Sequence, residues 1–127
     1  MITEDYVSFE TAKLLKEKGF DWNTDKQFNL DKIVSEYNIT DRSRYPERYL
    51  DAPTLQMAMK WLREVYNLAI GVEYFVDEEN GDTRTWRYDI ISMNTFCNKS
   101  DYRLCRNFTT YEEACEAAIK YCLENLI

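Results

Sequence analysis

Two apolar runs on either side of a short acidic turn constrain the fold of this chain more than any other feature. The runs read LAIGVEYFV over 68–76 and TRTWRYDIISM over 83–93, and DEENGD separates them. Within that spacer, Asn80-Gly81 is the pair of residues that best tolerates the positive φ angles of a two-residue type I′ turn. The sequence therefore predicts an antiparallel β-hairpin that is closed by Asn80-Gly81.

The predicted turn also sets the register of the hairpin. A two-residue turn places Phe75 opposite Trp86 and Glu73 opposite Tyr88, and the neighbouring pairs follow from these two. Both faces of the hairpin then carry large apolar side chains, which indicates that both faces are partly covered. A third strand is predicted near Tyr102–Phe108.

Three amphipathic segments carry the signals that begin and end helices. The first segment follows the N-cap residue Ser8 and ends before Gly19, a residue typical of the position just after a helix. The second is predicted to hold Pro53 in its first turn and to run to about Asn67. The third begins after Thr110, which forms a capping box with the glutamate three residues later.

The segments between these elements are predicted to be short or irregular. We expect a short strand at Lys26–Leu30, a short helix at Lys32–Tyr37 and a surface loop over 39–52. The chain shows no internal repeat and no domain boundary. The predicted fold is therefore a single α+β domain over 1–127, with three main helices packed on a small, mainly antiparallel sheet around a central β-hairpin.

The residue inventory argues against several classes of catalysis. The chain has no histidine, which excludes Ser-His-Asp and Cys-His nucleophiles and most zinc catalysis. Its three glycines form no phosphate-binding motif. Paired carboxylates remain for acid–base chemistry, but the densest set lies at 77–82, where a solvated turn is the simpler interpretation. We therefore predict that the protein has no catalytic residues and binds no cofactor.

Charge and hydropathy bear on the partners and the location. The formal net charge of −7 repels a phosphate backbone at long range, which argues against nucleic acid as a partner. No run approaches the roughly 18 apolar residues of a membrane span. The acidic N-terminal sequence MITEDYVSFE lacks the features of a secretion signal. A cytoplasmic location is the expectation, and thiols stay reduced there.

Four cysteines are the most reactive side chains left to consider: Cys97, Cys105, Cys115 and Cys122. None of the intervals between them is the short knuckle of a structural zinc site, so no metal site is predicted. Cys115 and Cys122 lie about 10 Å apart along one helix face, which is too far for a disulfide. This pair is predicted to fill the core as small apolar side chains. Cys97 or Cys105 is left as a candidate for an exposed, redox-active thiol.

One loop carries the residue types that are enriched at protein interfaces. In DRSRYPERYLDAP, over 41–53, arginine is interleaved with tyrosine, and both are common at binding hot spots. The candidate protein-contact residues are Arg42, Arg44, Tyr45, Arg48 and Tyr49. The alternative is a loop whose tyrosines pack down and whose arginines pair with neighbouring carboxylates. A second, mildly basic run follows later in the chain, at Lys99, Arg103 and Arg106.

Three stretches resemble a known group of proteins. They are YVSFETAKLLKEKGFD near the start, APTLQMAMKWLREVYN, and TYEEACEAAIKYCLENLI at the end of the sequence. Together with the order of helix, helix, hairpin and helix, they are similar to small uncharacterised proteins that phages and mobile elements of gut bacteria encode. The stretches cover under half of the chain and consist mostly of helix caps and core positions. The resemblance implies a phage or mobile-element origin and implies no site residues.

Function is therefore expected to lie in contacts with other proteins. The leading prediction is a small accessory protein that binds an unidentified protein partner without catalysis. The alternative is an acidic mimic of nucleic acid that inhibits a DNA-handling host enzyme, which requires a stripe of carboxylates at roughly phosphate spacing. An enzyme requires a concave pocket that holds two carboxylates or a thiol with a perturbed pKa. A further hypothesis is a homodimer that forms through uncovered aromatic residues of the hairpin.

Overall fold

The computed structural model describes residues 5–29, 31–36, 50–77 and 83–127. These residues form three α-helices and two small antiparallel sheets, so the α+β class is confirmed. The helices are α1, Phe9–Glu17, α2, Leu55–Tyr66, and α3, Tyr111–Tyr121, and α3 continues into a π-helical turn at Cys122–Leu126. None of the described helices has the length and apolar character needed to cross a membrane.

Side-chain hydroxyl groups cap the beginning of all three helices. Ser8, Thr54 and Thr110 each accept a hydrogen bond from the backbone N–H three residues later, which satisfies an otherwise unpaired helix donor. The predicted caps at Ser8 and Thr110 are therefore confirmed. Because α2 begins after Thr54, Pro53 precedes the cap instead of occupying the first turn. At the other end of α2, Asn67 adopts a left-handed conformation with φ 58° and leads directly into the next strand.

The first sheet contains three short strands, β1, Lys26–Phe28, β2, Val34–Glu36, and β3, Leu50–Asp51. Their order is β2-β1-β3, and β1 pairs antiparallel with both neighbours. The helix predicted at Lys32–Tyr37 is wrong, since residues 34–36 are β2. Asn29 explains the difference, because its side-chain oxygen accepts hydrogen bonds from the N–H groups of Asp31 and Ile33 and stabilises a turn back along β1.

The surface loop predicted over 39–52 is wrong at its C-terminal end. Leu50 pairs with Phe28 of β1, and both side chains are buried in the core. Ala52 is also buried, and its N–H donates a hydrogen bond of 3.1 Å to the Lys26 carbonyl. The chain therefore rejoins the first sheet at this stretch, because its apolar residues pack into the core.

The second sheet consists of two ten-residue strands, β4, Leu68–Asp77, and β5, Thr83–Ser92. They pair antiparallel, but the predicted register is wrong by one residue, because Tyr74 and not Phe75 lies opposite Trp86. An odd number of residues, 78–82, separates the last pair, whereas a two-residue turn requires an even number. The predicted turn itself lies outside the described residues.

This register concentrates burial on one face of the second sheet. Val72 shares that face with Tyr88 and Ile90, both of which are buried, and the face packs against α2 and α3. The opposite face carries an ion pair between Glu73 and Arg87, which are directly opposed across the two strands. A slip of one residue would exchange these two faces, so the packing of the helices strongly specifies the register.

An irregular segment, residues 97–108, covers the outer edge of β5, and we call it the β5 cover. Five backbone hydrogen bonds join the two, including a reciprocal pair between Trp86 and Phe108 of 2.8 and 3.1 Å. Another bond runs from the Lys99 N–H to the Ile90 carbonyl over 2.7 Å. The outward-facing edge of β5 is thus largely satisfied by its own chain.

The third strand that was predicted near Tyr102–Phe108 is wrong. The Asp101 carbonyl accepts hydrogen bonds from the N–H groups of both Leu104 and Cys105, which coils the chain at this point. Only isolated bridges to β5 remain on either side of that coil. The β5 cover therefore lies where a third strand would lie without adopting its extended conformation.

Helix α3 is the centre of the packing. It contacts α1, α2 and both strands of the second sheet. Its buried residues are Ala114, Cys115, Ala118 and Ile119, and small side chains of this kind allow a helix to approach its neighbours closely. The largest buried side chain, Trp61 of α2, contacts the rings of Phe20 and Tyr66 edge to face, with centroids 5.4 and 5.2 Å away.

Candidate functional site

The predicted contact loop lies outside the described residues. Its five candidate residues, Arg42, Arg44, Tyr45, Arg48 and Tyr49, fall within 37–49. The described neighbours are β2 and β3, which lie on opposite sides of β1 and which residues 37–49 connect. The loop therefore remains a predicted contact surface, and the described residues that flank it, Glu36 and Leu50, lie in the first sheet.

The second basic run lies on the β5 cover. Lys99 and Arg103 are exposed, and Arg106 is half-buried with its guanidinium 4.0 Å from the centroid of the Tyr102 ring. Within the part of the chain that the structure describes, none of these three cations forms an ion pair with a carboxylate. The run therefore presents uncompensated positive charge on a protein whose net charge is −7.

The same part of the chain exposes large apolar side chains. Phe96 is 86% exposed, Tyr102 72% and Leu104 57%. Single exposed apolar residues are ordinary on protein surfaces, whereas several together mark an interaction site. These three residues and the two exposed cations lie within one nine-residue segment, 96–104, and we call them the β5-edge patch: Phe96, Lys99, Tyr102, Arg103 and Leu104.

The backbone holds the β5-edge patch in a defined conformation. Phe96 has φ 59°, and its N–H donates to the Ser92 carbonyl over 2.8 Å. A bulky residue rarely adopts this conformation, because its Cβ approaches a backbone oxygen. Side-chain oxygens of Asn98 and Asp101 each accept the N–H two residues later, both over 2.8 Å, and these turns order the segment further. An ordered patch loses less conformational entropy on binding than a mobile one.

Three of the four cysteines lie in the interior. Cys115 and Cys122 are fully buried, as the helical spacing predicts, and Cys105 is also buried. Burial raises the pKa of the Cys115 thiol, and it raises the pKa of Cys122 to about 12. Such thiols stay neutral at physiological pH and act as apolar filler rather than as nucleophiles. Cys97 is the exposed thiol, and its sulfur lies 3.5 Å from the Thr95 carbonyl oxygen.

Carboxylates line a groove of about 530 Å³ beside the first turns of α3. Glu116 Oε1 accepts hydrogen bonds from the Thr11 hydroxyl over 2.6 Å and from the Ser8 N–H over 3.0 Å. Glu113 accepts a hydrogen bond of 2.7 Å from the Thr109 hydroxyl at the start of α3. Both carboxylates therefore stabilise helix beginnings. Among the described residues, no cluster of three or more potential ligand side chains is placed to hold a metal ion.

Comparison with known proteins adds no relative. No protein-family model, curated protein or solved structure was found to match this chain at a significant level.

Sequence reasoning identified the basic residues of the β5-edge patch but not its apolar ones. Phe96, Tyr102 and Leu104 are of residue types that usually lie in a core, and the sequence predicts a strand over part of their segment. The available signal was the cluster of turn-forming residues between them, Asn98, Ser100 and Asp101, which is typical of an irregular surface segment.

Proposed function

We propose that this protein is a non-catalytic accessory protein, of phage or mobile-element origin, that acts by binding another protein. The observation that carries the proposal is the β5-edge patch, which combines exposed aromatic and aliphatic side chains with unpaired cations. Arginine and tyrosine are enriched among the residues that dominate interface energies. The proposed origin rests on the resemblance of the three helical stretches.

The chemistry of the patch favours an acidic partner surface with an apolar centre. Lys99 and Arg103 would contact carboxylates at the rim, where they steer association, while Phe96 and Leu104 would bury apolar area. The predicted loop at 42–49 would add a second set of arginine and tyrosine contacts. Both surfaces are candidate binding sites for the partner, so each is tested by its own variant.

The described charges favour this proposal over a nucleic-acid mimic. A mimic needs a contiguous row of carboxylates, whereas cations are interspersed among the acidic residues. The ion pairs that show this are Lys60–Glu64 on α2, Arg87–Glu73 on the second sheet and Lys120–Glu10 between α3 and α1. Mixed charges of this kind do not imitate a phosphate backbone.

The test is quantitative affinity capture from a lysate of the native host, with mass spectrometry as the readout. The double variant Phe96→Ala/Tyr102→Ala should lose at least about tenfold of the specific partner, because truncating hot-spot residues costs about 2 kcal/mol or more. Ile33→Ala is the matched control, since Ile33 is also an exposed apolar residue, at 61%, and lies next to the first sheet. It should capture the partner as the unaltered protein does.

A second double variant, Arg44→Ala/Tyr45→Ala, separates the two candidate surfaces. Loss of capture in this variant alone would assign the contact to the predicted loop and remove the β5-edge patch. Specific capture that survives in both double variants would contradict binding through either surface. Because the three side chains that these two variants truncate, Phe96, Tyr102 and Ile33, are all exposed, we expect stability changes within about 0.5 kcal/mol for them.

A further inference from the structure

The outer edge of β4 is the longest uncovered strand edge among the described residues. The β5 cover occupies the corresponding edge of β5, and the outer strands of the first sheet contain only three and two residues. Strand β4 has ten residues, and within the described chain no backbone hydrogen bond reaches its outer edge. A long free edge is a ready template for another strand.

The pairing pattern shows which backbone groups of β4 face outwards. On β5, residues 86, 88 and 92 use their N–H groups to bind the β5 cover, so these groups point away from β4. In an antiparallel pair, two directly opposed residues either both point their N–H and C=O groups towards each other or both point them away from each other. The N–H and C=O groups of Ile70, Val72 and Tyr74 therefore point to the free edge.

Strand β4 lacks the usual protection of an exposed edge. Natural edges are blunted by lysine, proline, bulges or short length, and β4 has neither lysine nor proline. Its one internal charge, Glu73, is paired with Arg87 on the open face. Towards the end of the strand, Tyr74 is 53% exposed and Val76 43%.

Gly71 lies in the middle of β4, on the open face of the second sheet. Among the described residues no atom lies within 4 Å of a Cβ atom added there, and its φ is one that other residues adopt readily. The position therefore accepts a larger side chain without a clash in the described part of the chain, which makes it suitable for substitution.

We propose that β4 pairs antiparallel with β4 of a second copy of this chain, with Val72 opposite Val72 of the second copy. The two sheets then form one continuous four-stranded sheet with the order β5-β4-β4-β5. This association is independent of the proposed protein-contact function, because it uses the opposite edge of the sheet from the β5-edge patch.

The proposed register is self-complementary on both faces. On the helix-covered face, Val72 meets its own equivalent, and Ile70 meets Tyr74 of the second copy. On the open face, Gly71 lies opposite Glu73 of the second copy, so the carboxylate has space and no opposing charge. Ala69 lies opposite Phe75 of the second copy, which pairs a small side chain with a large one.

The neighbouring registers are worse. The outward-facing backbone groups of one β4 strand must pair with the outward-facing backbone groups of the other. Allowed registers therefore differ by two positions in the residue that lies opposite Val72. One step places Glu73 directly opposite Glu73 of the second copy, and like charges in that position are destabilising. The other nearby registers shorten the paired part of the described strand. The register centred on Val72 pairs residues 68–76 and avoids the like-charge contact.

The size of this interface predicts a weak, concentration-dependent dimer. Nine strand residues on each side are fewer than the 20–30 residues of a standard stable interface. Sedimentation equilibrium from about 10 μM to about 1 mM is therefore the appropriate measurement. A chain that stays monomeric throughout this range would overturn the proposal and would leave the edge to a strand of another protein.

Two charge variants test the register. Gly71→Glu places a carboxylate against Glu73 of the second copy at two symmetric positions and should weaken the dimer roughly 2- to 30-fold, whereas Gly71→Lys should strengthen it by a similar factor. Both new side chains also face Asp89 of their own chain. The dissociation constant of the dimer is therefore measured well below the melting temperature of each variant. Circular dichroism spectra that match the spectrum of the unaltered protein show that the variants are folded. Equal effects of the two variants would overturn the register.

A proline variant tests the edge itself. Val72→Pro removes an outward-facing N–H, which proline can do on an edge strand without breaking the ladder to β5. It should abolish dimerisation while the spectrum of the monomer is retained. Undiminished dimerisation of Val72→Pro would overturn the assignment of the interface to β4. The Phe96→Ala/Tyr102→Ala variant should dimerise as the unaltered chain does, so failure of this proposal is distinguishable from failure of the proposed function.

Discussion

Raising the pH above 9 should destabilise this fold, because thiols in its core must stay neutral. Cys122 is fully buried, and burial raises the pKa of its thiol from the ordinary 9.0 to about 12. Burial raises the pKa of Cys115 in the same direction. In the unfolded chain these thiols ionise near their ordinary pKa, so the unfolded state releases protons that the folded state retains.

The direction and size of the effect follow from proton linkage. The stability due to the neutral Cys122 thiol is fully present below pH 9.0 and is lost progressively as the pH rises towards 12. Between pH 8 and pH 10 this thiol alone lowers the free energy of unfolding by about 1.4 kcal/mol, since one pKa unit corresponds to 1.36 kcal/mol. Cys115 adds a loss of the same sign.

Guanidinium unfolding at pH 8, 9 and 10 measures this loss, with tryptophan fluorescence as the signal and a reductant present throughout. Cys122→Ala should lose about 1.4 kcal/mol less stability over this range than the unaltered protein. Cys97→Ala is the matched control, because Cys97 is exposed and its removal should leave the full decrease. An alkaline decrease that is unchanged in Cys122→Ala would refute the assignment of the effect to the buried thiol.

Two further substitutions test the local geometry. Phe96→Gly should be more stable than Phe96→Ala by up to about 1 kcal/mol in chemical unfolding, because glycine adopts a positive φ without the cost that Cβ imposes; equal stability would show that φ 59° carries no strain. Thr110→Ala should lower the free energy of unfolding by about 1 kcal/mol through loss of the α3 cap, and Thr110→Ser should restore it. Equal melting of the alanine and serine variants would contradict a capping role.

The helices were largely predictable because their signals are local. A hydroxyl at Ser8 or Thr110 satisfies a helix donor three residues away whatever the rest of the chain does, and Gly19 follows α1 with φ 93°. The error at Lys32–Tyr37 has a local cause as well. The helix signal at Asp31 competes with the side-chain oxygen of Asn29, which stabilises a turn instead.

The strand register and the exposed patch were not predictable, because both depend on distant contacts. The hairpin signal at Asn80-Gly81 favours one register, yet α2 and α3 select the register that buries Tyr88 and Ile90 on a single face. The exposure of Phe96 likewise depends on where the β5 cover meets the sheet. Composition alone assigns such residues to the core, since most large apolar side chains lie there.

The covering of β5 by its own chain limits growth through the second sheet. Among the described residues, the β5 cover occupies one lateral edge of that sheet, and the other lateral edge, at β4, is vacant. When two molecules pair through β4 as proposed, a β5 cover occupies each outer edge of the four-stranded sheet. A third molecule then has no free strand edge of this sheet to pair with. In the proposed dimer, geometry therefore blocks open-ended polymerisation of the cross-β kind through this sheet, without the charged gatekeeper residues that other proteins place along exposed edges.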